Sequence, residues 1–186
     1  DSWNVEYVKG DLRDFKVCVD VCKGKQFIFH IAGIKGSPVL VKEKPYVFFT
    51  NFIQMNTSMI AAMNASEDME WGLYTKNDWY AGWSKRMAEL QIDAYEDQTG
   101  VRKISIIKPV NIYGSFDNFD LRTSTMVPSL VRKVYEAKDV VEIWGSGEAT
   151  RDIIHASDVA RAAALMVEKK VKEPTNIGKN KPVSIK

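Results

Sequence analysis

Cysteine is scarce in this chain: Cys18 and Cys22 are the two thiols among 186 residues. Spaced four apart, they share one face of a helix, and two thiols are too few for a zinc site or a disulfide framework. Unpaired buried thiols suit a reducing cytosol, so the expected location is cytoplasmic. Long hydrophobic runs are missing too. With no stretch of 18 apolar residues, and no charged segment leading into an apolar one at the start, neither a membrane span nor a signal peptide is expected. Nor is there an excess of one charge. The 26 basic and 24 acidic side chains leave a net charge of +2. Because Lys and Arg are scattered among acids, no footprint for nucleic acid exists, and an anionic ligand must be bound locally.

What is present is the composition of an ordinary folded domain, 45% hydrophobic and 27% charged. Its length fits one domain, or one and a fraction. Val5-Glu6-Tyr7-Val8 alternates like a short strand, and Gly10-Asp11-Leu12-Arg13-Asp14 supplies a turn and an N-cap for a helix over 14–23. Gln26–Gly33 is a nearly continuous apolar run closed by small residues, the pattern of a strand buried on both faces of a parallel sheet. From Phe48 to Met63 the apolar residues recur at three and four, which predicts a helix whose methionines pack in the core. A second helix spans 81–98 and ends at Gly100. A strand follows over 103–108, stopped by Pro109. Helices over 127–138 and 158–169, a strand over 140–144 and a last strand from Asn176 complete the alternation. Strands alternating with helices predict a doubly wound parallel α/β sheet, with ligands bound beyond the carboxyl ends of its strands.

Five blocks stand at such ends or near them. They are Gly10–Asp14, His30-Ile31-Ala32-Gly33, Lys108-Pro109-Val110-Asn111-Ile112-Tyr113-Gly114, Ile143–Gly147 with Thr150–Ala160, and Asn176-Ile177-Gly178. In this order they resemble the extended short-chain dehydrogenase/reductase family of the NAD-dependent epimerase/dehydratase type. Met126–Lys133 and Val141–Gly147 are most similar to the GDP-L-fucose synthase-like members. The resemblance implies a Rossmann-type fold with a small C-terminal substrate-binding lobe. Residues 1–114 would form a partial NAD(P)-binding domain and 115–186 mainly the lobe, with 151–178 partly returning to the first. It implies a nucleotide-sugar epimerase or reductase that uses NADP or NAD for hydride transfer at a sugar carbon, with a GDP-sugar favoured.

Carried onto this sequence, the resemblance implies that Asp11 and Leu12 border the cofactor's adenine. Ala32 and Gly33 would line its diphosphate and ribose, and Pro109, Asn111 and Ile112 would lie by the nicotinamide and the sugar. Met126, Leu130 and Lys133 would meet the substrate nucleotide, with Trp144 near its base or ribose and Arg151 facing its diphosphate. A guanidinium fork does match phosphate oxygens. Arg151 read by itself also fits a surface ion pair with Asp152, and Trp144 plain core burial. A homodimer through the 48–63 and 81–98 helices is implied as well.

The family uses a Tyr, a Lys four residues later and a Ser or Thr from a neighbouring strand. Four residues advance a helix by about 400° and bring both side chains to one face, whereas five advance it by about 500° and separate them. Here Tyr80 precedes Lys85 by five. Tyr80 regains the position if it lies in extended backbone before the helix; otherwise the site has no catalytic Tyr, and Lys85 also fits a solvated lysine beside Arg86. Three further departures stand out. No strand is evident between Met63 and Glu67-Asp68, no Gly-rich phosphate fingerprint occurs in the chain, and Thr125 occupies the position of the fucose synthases' epimerising His. Unpaired neighbours of a missing interior strand are costly, so the expectation is a longer polypeptide with segments absent before Asp1, near Met63 and after Lys186. The competing function is an inactive relative that binds a nucleotide or a protein partner.

Overall fold

The computed structural model describes residues 5–34, 38–65, 71–74 and 79–186. Asp14 caps the first helix, α1 (Phe15–Cys22), its carboxylate accepting from the Lys16 amide at 2.9 Å. This satisfies one of the donors that a helix start leaves open. The apolar run that follows forms β1 (Phe27–Phe29). After a short helix α2 (Pro38–Glu43), the methionine-rich segment forms the long helix α3 (Pro45–Ala65). Its Phe48, Phe52, Met55, Met59, Ile60 and Met63 are all buried, as their spacing predicts.

Next comes β2 (Trp71–Tyr74), a strand that begins just after Glu67-Asp68, beyond the interval in which none is evident. It pairs in parallel with β1 on one side, Ile28 against Gly72, and on the other with β3 (Ile104–Pro109), Leu73 against Ser105. The interior position of the sheet is therefore filled by residues of this chain. The strand escapes detection because it has four residues, includes a glycine, and follows Glu67-Asp68-Met69-Glu70, so neither an apolar run nor an alternation emerges. Between β2 and β3 runs α4 (Trp79–Thr99), ended at Gly100, whose amide reaches the Glu96 carbonyl at 2.7 Å.

The chain does not stop at Pro109. It continues through Val110, whose amide donates to the Ile177 carbonyl, into β4 (Asn111–Tyr113). Then follow α5 (Met126–Glu136), β5 (Thr150–Arg151), β6 (Ile153–His155), α6 (Ala156–Glu168), β7 (Thr175–Ile177) and β8 (Val183–Ser184). The main sheet has the order β1-β2-β3-β7 and is parallel throughout. β4 pairs in parallel with β6, and β5 pairs antiparallel with β8.

Two predicted strands do not form. Val5–Val8 has no partner among the described residues, and Tyr7 is 91% exposed; an alternating segment alone does not hold as a strand. Val140–Trp144 is likewise unpaired, with Val140 exposed.

The core lies on both sides of β3. Ile104 and Ile106 join Cys18 and Cys22 of α1, Met59, Ile60 and Met63 of α3, and Ala88 and Ile92 of α4. Ile107 faces the other way, against Ala163 and Met166 of α6. Ser105, on that second face, is wholly buried and donates its hydroxyl to the Val171 carbonyl at 2.5 Å. The two cysteines are free, and burial pushes the Cys22 thiol up to about 11, with the neighbouring Cys18 adding to the shift. No described helix is long and apolar enough to cross a membrane. Truncating the completely buried Ile106 to Ala is expected to destabilise the fold by about 2–5 kcal/mol. Urea unfolding checks this as a lower midpoint at unchanged slope.

Candidate active site

Beyond the carboxyl end of β3 opens a cavity of about 460 Å³. Its floor is Pro109–Tyr113, one wall is Lys85 from α4, and the opposite wall is Thr125, Met126 and Val127 at the start of α5. The β3–β4 crossing shapes it. Asn111 is anchored by its amide and its side-chain Nδ2, both donating to the Asp152 carbonyl, at 3.3 and 3.2 Å. At the neighbouring Gly114 a Cβ would stand 3.2 Å from the Ala156 Cβ, so a side chain there would press on the start of α6. Phe116, at the rim, is fully exposed and has φ of +65°, a left-handed backbone that an aromatic residue rarely adopts.

Of the residues singled out in the sequence, the cavity brings together Lys85, Pro109, Asn111, Ile112 and Met126. Lys85 is half-buried and sits 5.4 Å above the centre of the Phe52 ring, so it is no simple solvated lysine. Phe52 also lies close to Gly33. A Cβ on Gly33 would lie 3.1 Å from its ring, which explains the small residue there and lets the 32–33 backbone pass close to Lys85's support. Beneath them His30, 3% exposed, meets the buried Asn56 side chain at 3.1 Å.

Among the described side chains, the other predicted residues do not line the cavity. Asp11 is exposed and clasped by Arg13, whose hydrogen bonds hold the carboxyl down at about 2; Arg13 also donates to Asn51 at 2.8 Å. Leu12 packs partly into the core. Leu130 is half-buried on α5. Lys133 donates to the Glu142 carbonyl at 3.0 Å and stands 5.6 Å from the Trp144 ring centre. Trp144 is 69% exposed, which excludes core burial. Arg151 makes no ion pair with Asp152 among the described residues; it donates to the Thr150 carbonyl, while Asp152 accepts from the Asn180 amide at 2.8 Å. Tyr80 lies in helical backbone, since α4 begins at Trp79, and its side chain is outside the described residues.

Sequence reasoning passed over Tyr113, Ser115, Asp117 and Thr125 as lining residues. Asp117 had a signal, a carboxylate three residues after the Tyr113-Gly114 pair, whereas Thr125 was legible only as a replaced histidine. The cavity thus offers an ammonium, a carboxylate, a phenol and hydroxyls beside apolar Pro109, Ile112, Met126 and Val127. That mixture suits a polyhydroxylated ring next to a flat heteroaromatic one.

The model of the NAD-dependent epimerase/dehydratase family matches residues 49–178. The chain belongs to that family. A GDP-L-fucose synthase from Sinorhizobium fredii is 38% identical over 115 residues, covering 59% of this chain and 36% of that protein. A GDP-L-colitose synthase from Yersinia pseudotuberculosis is 30% identical over 183 residues, 81% of this chain and 58% of that one. The chain therefore spans between 36% and 58% of these two curated relatives. Among solved structures, a UDP-N-acetylglucosamine 4-epimerase from Methanobrevibacter ruminantium superposes with a TM-score of 0.83 at 19% identity, over 96% of this chain and 62% of that one. A GDP-L-fucose synthetase from Naegleria fowleri bound to NADP gives 0.73 at 19% identity, over 94% and 68%. These likenesses show the Rossmann-type fold of the family.

His30 generates a prediction. Burial holds its imidazole below the usual value of 6.5, Asn56 partly opposing the shift and the Lys85 charge adding to it. The unfolded chain then takes up a proton that the folded one refuses. His30's contribution to stability is accordingly complete above about pH 6.5 and is lost as the pH falls below it toward the depressed folded value. Urea midpoints measured from pH 8 to 5 should fall in this window, and His30→Gln should flatten the decline.

Proposed function

We propose that this family member handles a nucleotide sugar, GDP-sugar favoured, as an NADP- or NAD-dependent epimerase or reductase. The observation that carries the reading is the cavity at the carboxyl end of β3, with Lys85 on one wall and the anchored Asn111 on its floor. The two curated relatives described above support the substrate class, being GDP-sugar synthases. The close approach allowed by Gly33, and the mixed polar and apolar cavity, fit the ribose and nicotinamide end of such a cofactor. When bound, the cofactor supplies or accepts the hydride.

The chain's own residues do the rest. Lys85 donates to the cofactor ribose, and its charge favours the phenolate of a nearby Tyr. Tyr80, in the first turn of α4, is the candidate phenol that gives or takes the sugar proton. Pro109, Asn111 and Ile112 position the nicotinamide and the sugar. Met126, Leu130, Lys133 and Trp144 take the nucleotide, Arg151 its diphosphate, and Asp11, Leu12, Ala32 and Gly33 the rest of the cofactor. On this reading residues 1–114 serve the cofactor and 115–186 mainly the substrate, in the cytoplasm.

One observation favours a second reading, a relative that binds without turning over: helical backbone at Tyr80 keeps it one residue out of step with Lys85. Titration of NADPH fluorescence, followed by turnover of a GDP-4-keto sugar, separates the two. The enzyme reading expects binding that Lys85→Met weakens about tenfold, the loss of one charge-assisted hydrogen bond. It also expects turnover that Tyr80→Phe lowers by about 10²–10⁴. Binding without turnover favours the second reading, and neither binding nor turnover overturns the first.

A homodimer through α3 and α4 is also proposed. Trp83, Met87 and Leu90 form a stripe on α4, 53%, 48% and 47% exposed, and Tyr46 and Val47 of α3 are exposed as well. Such a stripe at helical spacing is a surface waiting for a partner helix. Sedimentation should give twice the chain mass, and a monomer would contradict it.

A further inference from the structure

Glu89 is the most deeply buried acid described in the chain, its side chain 1% exposed, and none of the roles above uses it. It sits on α4 one turn after Lys85, so both side chains leave the same helix face. From its own helix Arg86 donates to Oε2 at 2.7 Å. From β3, Lys108 brings its Nζ to 3.2 Å from Oε1 and 3.3 Å from Oε2. Lys108 in turn directly precedes Pro109, where the cavity floor begins. A single carboxylate thus ties the helix that carries Lys85 to the strand that becomes the floor.

We propose that Glu89, through Lys108, is a positioning residue that fixes Lys85 against the Pro109–Asn111 floor. The proposal rests on the reading of Lys85 as the ribose and proton-handling group. Its physical basis is the chemistry of buried ion pairs. Taking a carboxylate and an ammonium out of water is costly, and well-packed apolar side chains of similar size commonly stabilise a core as well or better. Stability alone gives little reason for charge at this seam. What a charged pair adds is direction: hydrogen bonds fix distance and angle, whereas apolar contacts allow one element to slide along the other. The seam lies one helical turn from the ammonium whose placement matters, and small misplacements of site groups weaken function steeply.

The test separates positioning from stability. Glu89→Gln, Lys108→Arg and the apolar pair Glu89→Leu with Lys108→Met are compared with the native chain. The readouts are melting temperature, NADPH affinity, and the Lys85 ¹³Cε resonance of the cofactor-free protein, assigned with Lys85→Arg. Glu89→Gln should melt lower, bind NADPH about tenfold more weakly, as for the loss of one charged hydrogen bond, and move the Lys85 resonance. The apolar pair should recover the melting temperature and recover neither affinity nor resonance. Lys108→Arg, which keeps the charge, should keep both. An apolar pair with native affinity and a native Lys85 resonance overturns the proposal. If that pair does not fold, Glu89→Gln against Lys108→Arg decides, and an unmoved Lys85 resonance in Glu89→Gln overturns it. Failure of the native chain to bind NADPH sinks the functional reading instead, and the resonance comparison then decides the positioning alone.

Discussion

β3 is buried on both faces, and the arrangement of the other elements follows from that. Ile104 and Ile106 point into the layer of α1, α3 and α4, while Ser105 and Ile107 point toward α6 and the chain after it. A strand with two buried faces needs a helix layer on each and hydrogen-bonded strands on both edges, which β2 and β7 supply. Its carboxyl end is consequently the place where backbone leaves the sheet with its next groups still to be satisfied. Val110 and Asn111 find them in Ile177 and Asp152, and that detour into β4 creates the floor of the cavity.

The polar groups of the site inherit their positions from this core. Lys85 is set by α4, whose buried residues Ala88 and Ile92 lock the helix against the sheet, and by the Phe52 ring of α3 beneath its charge. After β1, Gly33 passes close to the Phe52 ring of α3, where a Cβ would stand 3.1 Å from it. On the far side, the N-terminal turn of α5 brings Thr125 and Met126 to the opposite wall. Chemistry-bearing side chains are therefore carried by helices and strands packed on this core, while Trp144 and Arg151 stand exposed.

Much of this was legible. The helix α3 followed from apolar residues at three and four, α1 and α4 from Asp14 and Gly100 at their ends, and α5 and α6 were also expected close to where they stand. β1 and β3 followed from apolar runs and β7 from Asn176-Ile177-Gly178, although β3 takes in Pro109, which was expected to stop it. The motif residues Lys85, Pro109, Asn111, Ile112 and Met126 did converge. What escaped were short strands. β2 has four residues and a glycine, and β4 and β6 have three each, too few for a period to register. The reverse error has the same root. Val5–Val8 and Val140–Trp144 have the pattern of strands, but a strand exists only through the partner beside it.

The sequence by itself determined what depends on neighbours along the chain: helix periodicity, caps, breaks, and the order of the family's motifs. Tertiary structure decided what depends on residues far apart. It seated β2 between β1 and β3, turned Trp144 outward and Asp152 away from Arg151, and joined Glu89 of α4 to Lys108 of β3. Strand pairing and buried charge pairing are both contacts across the fold, and their energy is absent until distant segments meet. No local pattern encodes them.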